Sequence, residues 1–223
     1  MADNSPSTEQ AGLPVAGLGL SATDAYAVEC ASRLFLQRGI EAVRMTDIAE
    51  AAGMGVATLY RHFSTKAAIA VAAATLMWEC LLKTYDQLAA SDDYAQMDGA
   101  SRLMCLMEAY CEHCRNHAGF AAFIDELDRL ILAEAVNSDA VDTYAAMISA
   151  AYPYYEQAYQ LGLRDASVRS DVDFNLFYRS VGHALMSMSS KLSRGEVLPT
   201  DDFSTAREEL ACVVDMAVCY LRG

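Results

Sequence analysis

The stretch "RMTDIAEAAGMGVATLYRHFSTKAAI", Arg44 to Ile69, decides how this chain is read. Ile48, Ala52 and Leu59 are apolar at positions that would pack two short helices against each other. Ala49 is small where a second helix must approach closely. Gly53, four residues on, allows the positive φ of a sharp turn. Thr46 is placed to cap the first of the pair with its hydroxyl. Spacing predicts one helix over 46–52 and another over 56–63, joined as a helix-turn-helix.

The polar residues fit that geometry. Residues 56–62 would form a recognition helix that enters a DNA major groove by its N-terminal end, at Gly55, Val56 and Ala57. Thr58 would reach a base edge or a phosphate. Tyr60 and His62 would donate to phosphate oxygens, and Lys66 would meet a phosphate at the start of the next helix. Arg44 and Arg61 are further candidates for phosphate or guanine.

The rest of the chain is consistent with an all-α protein. No proline lies between Pro14 and Pro153, Ala, Leu, Met and Glu abound there, and alternating β patterns are missing. About nine helices are expected. The first spans 23–38 and stops at Gly39. The fourth, capped by Ser64 or Thr65, runs to Ala90 and is broken by "SDDYAQMDG", 91–99. The fifth spans 99–117 and the sixth 119–135. A seventh runs from 137 to 161, bent or interrupted near Pro153. The last two cover 172–193 and 203–221, separated by the loop "RGEVLPTDD". This gives a disordered tail over 1–20, a DNA-binding domain over 21–66 and a larger ligand-binding and dimerisation domain over 67–223.

Charge follows the same division. The net charge is −14. Residues 1–66 hold five Lys/Arg and seven Asp/Glu, a net of −2, which leaves −12 on residues 67–223. The acidic body would repel a polyanion, whereas the nearly neutral N-terminal third can touch one locally. No wholly apolar run reaches the roughly 18 residues of a membrane helix, and no basic-then-apolar leader opens the chain. A cytoplasmic protein without a membrane partner is expected.

The run "TDIAEAAGMGVATLYRHFSTK" resembles the DNA-binding signature of the TetR family of transcriptional regulators. The matching elements are Thr46, Ile48-Ala49, Ala52-Gly53, Thr58 to Phe63, and Lys66. The preceding "ASRLFLQRGIEAVRMT", 31–46, is similar to the family's first helix and its link, so the close match covers about 45 residues. The chain departs from the pattern at Gly55, usually Ser, at Ala57, often Gly, and at Ala67, often Glu. "SATDAYA", 21–27, stands where the family usually begins with a basic residue.

The resemblance implies a homodimer on a palindromic double-stranded operator, released by a small-molecule effector. It implies a four-helix interface from the last two helices of two chains. Candidates by helical spacing are Phe177, Val181, Ala184, Met188, Leu210, Val213, Val214, Ala217 and Leu221. It also implies an effector pocket in the intervening helices. Met and aromatic side chains suit such a pocket: Met77, Trp78, Met104, Met107, Tyr110, Phe123, Tyr144, Met147, Tyr155 and Phe177. The acidic body points to an apolar or cationic effector.

Two other readings bear on function. "CEHCRNH" offers Cys111, Cys114 and His117 at helical spacing, a pattern open to a metal, a disulfide or plain structural thiols. For an enzyme the chain has no phosphate-cradling glycine loop, no serine elbow and no HExxH, and Asp125, Glu126 and Asp128 read as a solvated helix face. Neither a catalytic residue nor a cofactor is expected.

Overall fold

The computed structural model describes residues 20–134, 136–193, 200 and 202–222. The expected tail (1–19) and most of the loop at 194–202 lie outside them. Among the described residues the secondary structure is helical throughout: α1 (Ala22–Ala42), α2 (Met45–Ala51), α3 (Val56–His62), α4 (Lys66–Ala89), α5 (Asp92–Gln96), α6 (Gly99–Asn116), α7 (Phe120–Ala133), α8 (Ser138–Ser149), α9 (Tyr152–Arg164), α10 (Phe174–Ser193) and α11 (Ala206–Arg222).

Local chemistry sets most of the boundaries. Ser21, Thr65, Ser91 and Asp98 each accept a first-turn N–H of the helix that follows. Gly39 interrupts α1 with φ 77° and ψ 162°, a conformation confined almost entirely to glycine. One expectation is corrected here and another takes one of its two forms. Residues 91–99 do not simply break the chain, because Ser91 caps the short α5. Pro153 marks the expected interruption rather than a bend. It sits in the first turn of a new helix, α9, where its missing N–H costs nothing.

Helix α4 is the spine of the body and packs against α1, α6, α7 and α8. By length and composition it could cross a bilayer, which the sequence reading missed. Its apolar residues are instead the protein's own core: Ile69, Leu76, Met77 and Leu81 are fully buried. Phe35 of α1 stacks on Phe123 of α7 at 5.6 Å between ring centroids, so the N-terminal helices share this core. Polar contacts and one glycine clamp the same junction. Glu126 of α7 accepts the Ile40 N–H at 2.6 Å. Lys66 Nζ donates to the carbonyls of Ile40 and Val43. Gly119, at φ 92°, lets α7 start beside the Leu36 carbonyl, 2.5 Å from where a Cβ would stand. Glu126 is therefore not part of a solvated face, and neither is Asp125, which accepts the Ser190 hydroxyl of α10 at 2.5 Å.

Candidate nucleic-acid interface and effector cavity

Helices α2 and α3 form the expected helix-turn-helix. Ile48, Ala49 and Leu59 are buried between them and α1, with Ala52 half-buried at the edge. Gly53 turns the chain at φ 63°, and Met54 N–H closes the turn on the Ala49 carbonyl at 2.9 Å. The cap of α2 differs from the expectation. Thr46 does not fill it. The Asp47 carboxylate reaches back to the Arg44 N–H at 3.0 Å, which holds its pKa below the usual carboxylate range. Thr46 is left exposed.

Helix α3 buries only Leu59 and turns its other side outward. Gly55, Val56, Ala57, Tyr60 and Arg61 are exposed, Thr58 is half-buried beside them, and Arg44 is exposed at the start of α2. Tyr60 is 49% exposed, so its hydroxyl is free to meet a partner outside the fold.

Two basic residues lie differently from the sequence expectation. The Lys66 ammonium points back into the junction of α1 and α4, where carbonyls hold it, rather than out toward a phosphate. His62 Nδ1 lies 2.6 Å from Asp24 Oδ1, so this imidazole pins the end of α3 to α1. Asp24 stands in the segment that departs from the family pattern, and sequence spacing gave no sign of the pairing.

Gly55 occupies the N-cap of α3 with φ −69° and ψ 139°, and no side chain caps the helix. A Cβ there meets only Thr58 Oγ1, at 3.7 Å. Gly55→Ser therefore fits, and a serine hydroxyl caps slightly better than glycine. The variant is expected to gain about 0.3 kcal/mol, read as a higher denaturant midpoint at unchanged slope.

In the body, a cavity of about 200 Å³ opens between α4, α6, α8, α9 and α10. Of the expected pocket residues, Trp78, Met107, Tyr110, Tyr155 and Phe177 line it. The other five do not. Met77 is buried in the core, Phe123 stacks on Phe35, and Met104, Tyr144 and Met147 lie outside the lining. The sequence reading missed Tyr85, Tyr178 and His183. Tyr85 and Tyr155 share a hydrogen bond at 3.1 Å, and burial raises both phenol pKa values, so both stay protonated. Trp78 Nε1 and Tyr110 Oη are buried without a hydrogen-bond partner.

The last two helices correct the expected interface. Leu210, Val214, Ala217 and Leu221 of α11, with Phe177 of α10, are buried against the chain's own body. The outward face carries Leu176, Met216 and Tyr220, each more than half exposed. Ala184 is exposed, and Val181, Met188 and Val213 are half-buried beside it. A groove of about 370 Å³ runs between the two helices there.

The cysteine motif also resolves differently. His117 belongs to a cluster with His113 and Cys80, whereas Cys111 and Cys114 do not. Burial pushes the Cys111 thiol up to about 12.

Comparison with known proteins agrees with this architecture. Residues 28–73 match the profile of the family described as bacterial regulatory proteins, tetR family. The chain is 27% identical over 154 residues to the HTH-type transcriptional repressor KstR2 of Rhodococcus jostii strain RHA1, covering 68% of this chain and 71% of that protein. The solved ketosteroid transcriptional regulator KstR2 of Mycobacterium tuberculosis shares the fold, with a TM-score of 0.63 at 20% identity, covering 94% of this chain and all of that one. So does a putative transcriptional regulator from Saccharomonospora viridis in complex with choline, with a TM-score of 0.64 at 21% identity, covering 88% of this chain and 97% of that one. Residues 28–73, with their helix-turn-helix, thus carry the DNA-binding domain described for the tetR family of bacterial regulatory proteins, and the helical body behind them shares the fold of those solved regulators.

Proposed function

We propose that the protein is a transcriptional repressor that binds a palindromic operator as a homodimer and is released by a small effector, apolar or cationic, held in the body. The observation that carries this reading is α3: Leu59 anchors it, and an open surface of Gly55, Val56, Ala57, Tyr60 and Arg61 faces away from the fold. That surface, with Thr46, Thr58 and Arg44 beside it, suits a major groove and its phosphates. The repressor KstR2 is a relative over two thirds of the chain, which supports the direction of control.

A single recognition helix reads too few base pairs for useful specificity, so two copies are needed. The outward face of α10 and α11, with Leu176, Ala184, Met216 and Tyr220, supplies an apolar surface for the second. The effector occupies the cavity between Trp78, Tyr110, Tyr155 and Tyr178, whose aromatic walls suit an apolar or cationic group. Its volume of about 200 Å³ favours a small molecule over an extended one. Trp78 and Tyr85 sit on α4, whose first turn holds the Lys66 clamp on the reader. A ligand that prefers a shifted α4 thereby changes the spacing of the two recognition helices, by no more than its preference for that state.

The test is selection of bound duplexes from a random DNA pool, followed by affinity against salt concentration. An enriched palindrome with a steep negative slope of log affinity against log salt is expected. Enrichment of a single half-site would overturn the dimeric reading, and no enrichment from ligand-free protein would overturn the reader itself.

A further inference from the structure

A second and wider concavity, of about 570 Å³, opens between α4, α6 and α11, and the function proposed above does not use it. Cys80 of α4 stands in its wall with His113 of α6 and His117 at the α6 C-cap. One ligating atom of each lies within 4.8 Å of the others. The two imidazoles sit one helical turn apart with ring centroids at 4.4 Å.

Two details distinguish this group from a chance cluster. His113 is 5% exposed, and its Nε2 has no hydrogen-bond partner. A buried imidazole nitrogen left unpaired is costly, so a native site that keeps one needs a reason. His117 Nδ1 lies 3.0 Å from the His113 carbonyl oxygen. A carbonyl only accepts, so Nδ1 carries the proton and the lone pair falls on Nε2. Metal-binding histidines are commonly oriented in this way.

We propose that Cys80, His113 and His117 bind a zinc-class divalent ion, with a fourth coordination position open to the concavity. One sulfur and two imidazole nitrogens are the donors such an ion prefers. Binding forms one metal–sulfur and two metal–nitrogen bonds, and the Cys80 thiol proton leaves to solvent. Tetrahedral bonds of about 2.0–2.3 Å put donors about 3.5 Å apart, so the longest separation must close by about 1 Å. Side-chain rotation of half-buried Cys80 and His117 covers that distance. The bound ion would tie α4 to α6. The proposal stands independently of the operator reading, because its test uses no DNA.

Reduced, chelator-treated full-length protein is titrated with Zn²⁺ by calorimetry, and with Co²⁺ by absorbance. One equivalent per chain is expected, with a near-ultraviolet thiolate-to-cobalt band. Cys80→Ser should abolish the band, and His117→Asn should weaken affinity at least tenfold. Cys212→Ser, at an exposed thiol outside the cluster and outside the lining of the concavity, should leave both unchanged. Circular dichroism checks that each variant folds, and the half-buried His117 position provides the test should Cys80→Ser misfold. No saturable binding, a band that survives Cys80→Ser, or unaltered affinity in His117→Asn would each overturn the site.

Discussion

Gly99→Ala is expected to destabilise the body by about 3 kcal/mol, which at this chain length lowers the melting temperature by about 6–12 °C. The reason is a backbone-to-backbone crossing. A methyl on Gly99, at the start of α6, would stand 2.0 Å from Gly162 N, 2.3 Å from Gly162 Cα and 2.5 Å from the Ala158 carbonyl oxygen of α9. No rotamer relieves contacts with main-chain atoms, so the two helices must separate. The same place is pinned by polar contacts. Gly99 N–H donates to Asp165 Oδ2 at 2.9 Å and Ala100 N–H to Ser167 Oγ at 3.0 Å. A shift of α6 stretches both bonds. Gly162→Ala gives an internal contrast, because its methyl meets Val168 Cγ2 at 2.4 Å and Val168 Cβ at 3.0 Å, side-chain atoms rather than backbone. It should cost less, about 1–2 kcal/mol. Calorimetric melting of the three proteins decides the matter. A Gly99→Ala melting temperature within 2 °C of wild type would mean the crossing is looser than the backbone places it.

What was legible in the sequence was local. Gly39, Gly53 and Thr65 act within four residues of where they stand, so turn and cap chemistry locates α2, α3 and α4 to within a residue or two and the kink of α1 at Gly39. Apolar periodicity found the helices of the body. It could not say which of two apolar faces on α11 meets the chain's own core, because periodicity marks a stripe and not its partner. Leu210, Val214 and Leu221, expected at the interface between chains, lie inward, while Met216 and Tyr220 face outward.

The contacts that went unread span long stretches of chain. Glu126 reaches Ile40 across 86 residues, and Lys66 reaches Ile40 across 26. Asp24 meets His62, and Cys80 meets the two histidines of α6. Sequence spacing within one helix pointed to Cys111 and Cys114 beside His117, whereas the ligand-like neighbour comes from another helix. The packing and turn of α2 and α3 are the exception, although Thr46, His62 and Lys66 lie otherwise than expected. Nearly all their geometry is contained in one helix pair and one turn, and there the sequence is close to sufficient.

Tyr60→Phe is expected to weaken operator binding by about 3–6 kcal/mol for a dimer, at least a hundredfold, without altering stability. The side chain is 49% exposed on α3, so removing one hydroxyl disturbs no core contact. On DNA, under the proposed reading, that hydroxyl donates to a phosphate oxygen. A hydrogen bond to a charged group contributes about 1.5–3 kcal/mol. Two symmetry-related copies lose it together, which doubles the figure. The size of the effect therefore reports stoichiometry as well as role. A loss of about 1.5–3 kcal/mol points to one bound reader, and the doubled value to two. A phosphate contact also makes the loss nearly uniform across operator variants, whereas a base contact concentrates it at one position. Equilibrium titration of wild type and variant on the selected operator and on two single-base variants of it separates these cases. Unchanged affinity with the dimer intact would remove Tyr60 from the interface and leave Arg44, Thr46, Thr58 and Arg61 to carry the polar contacts.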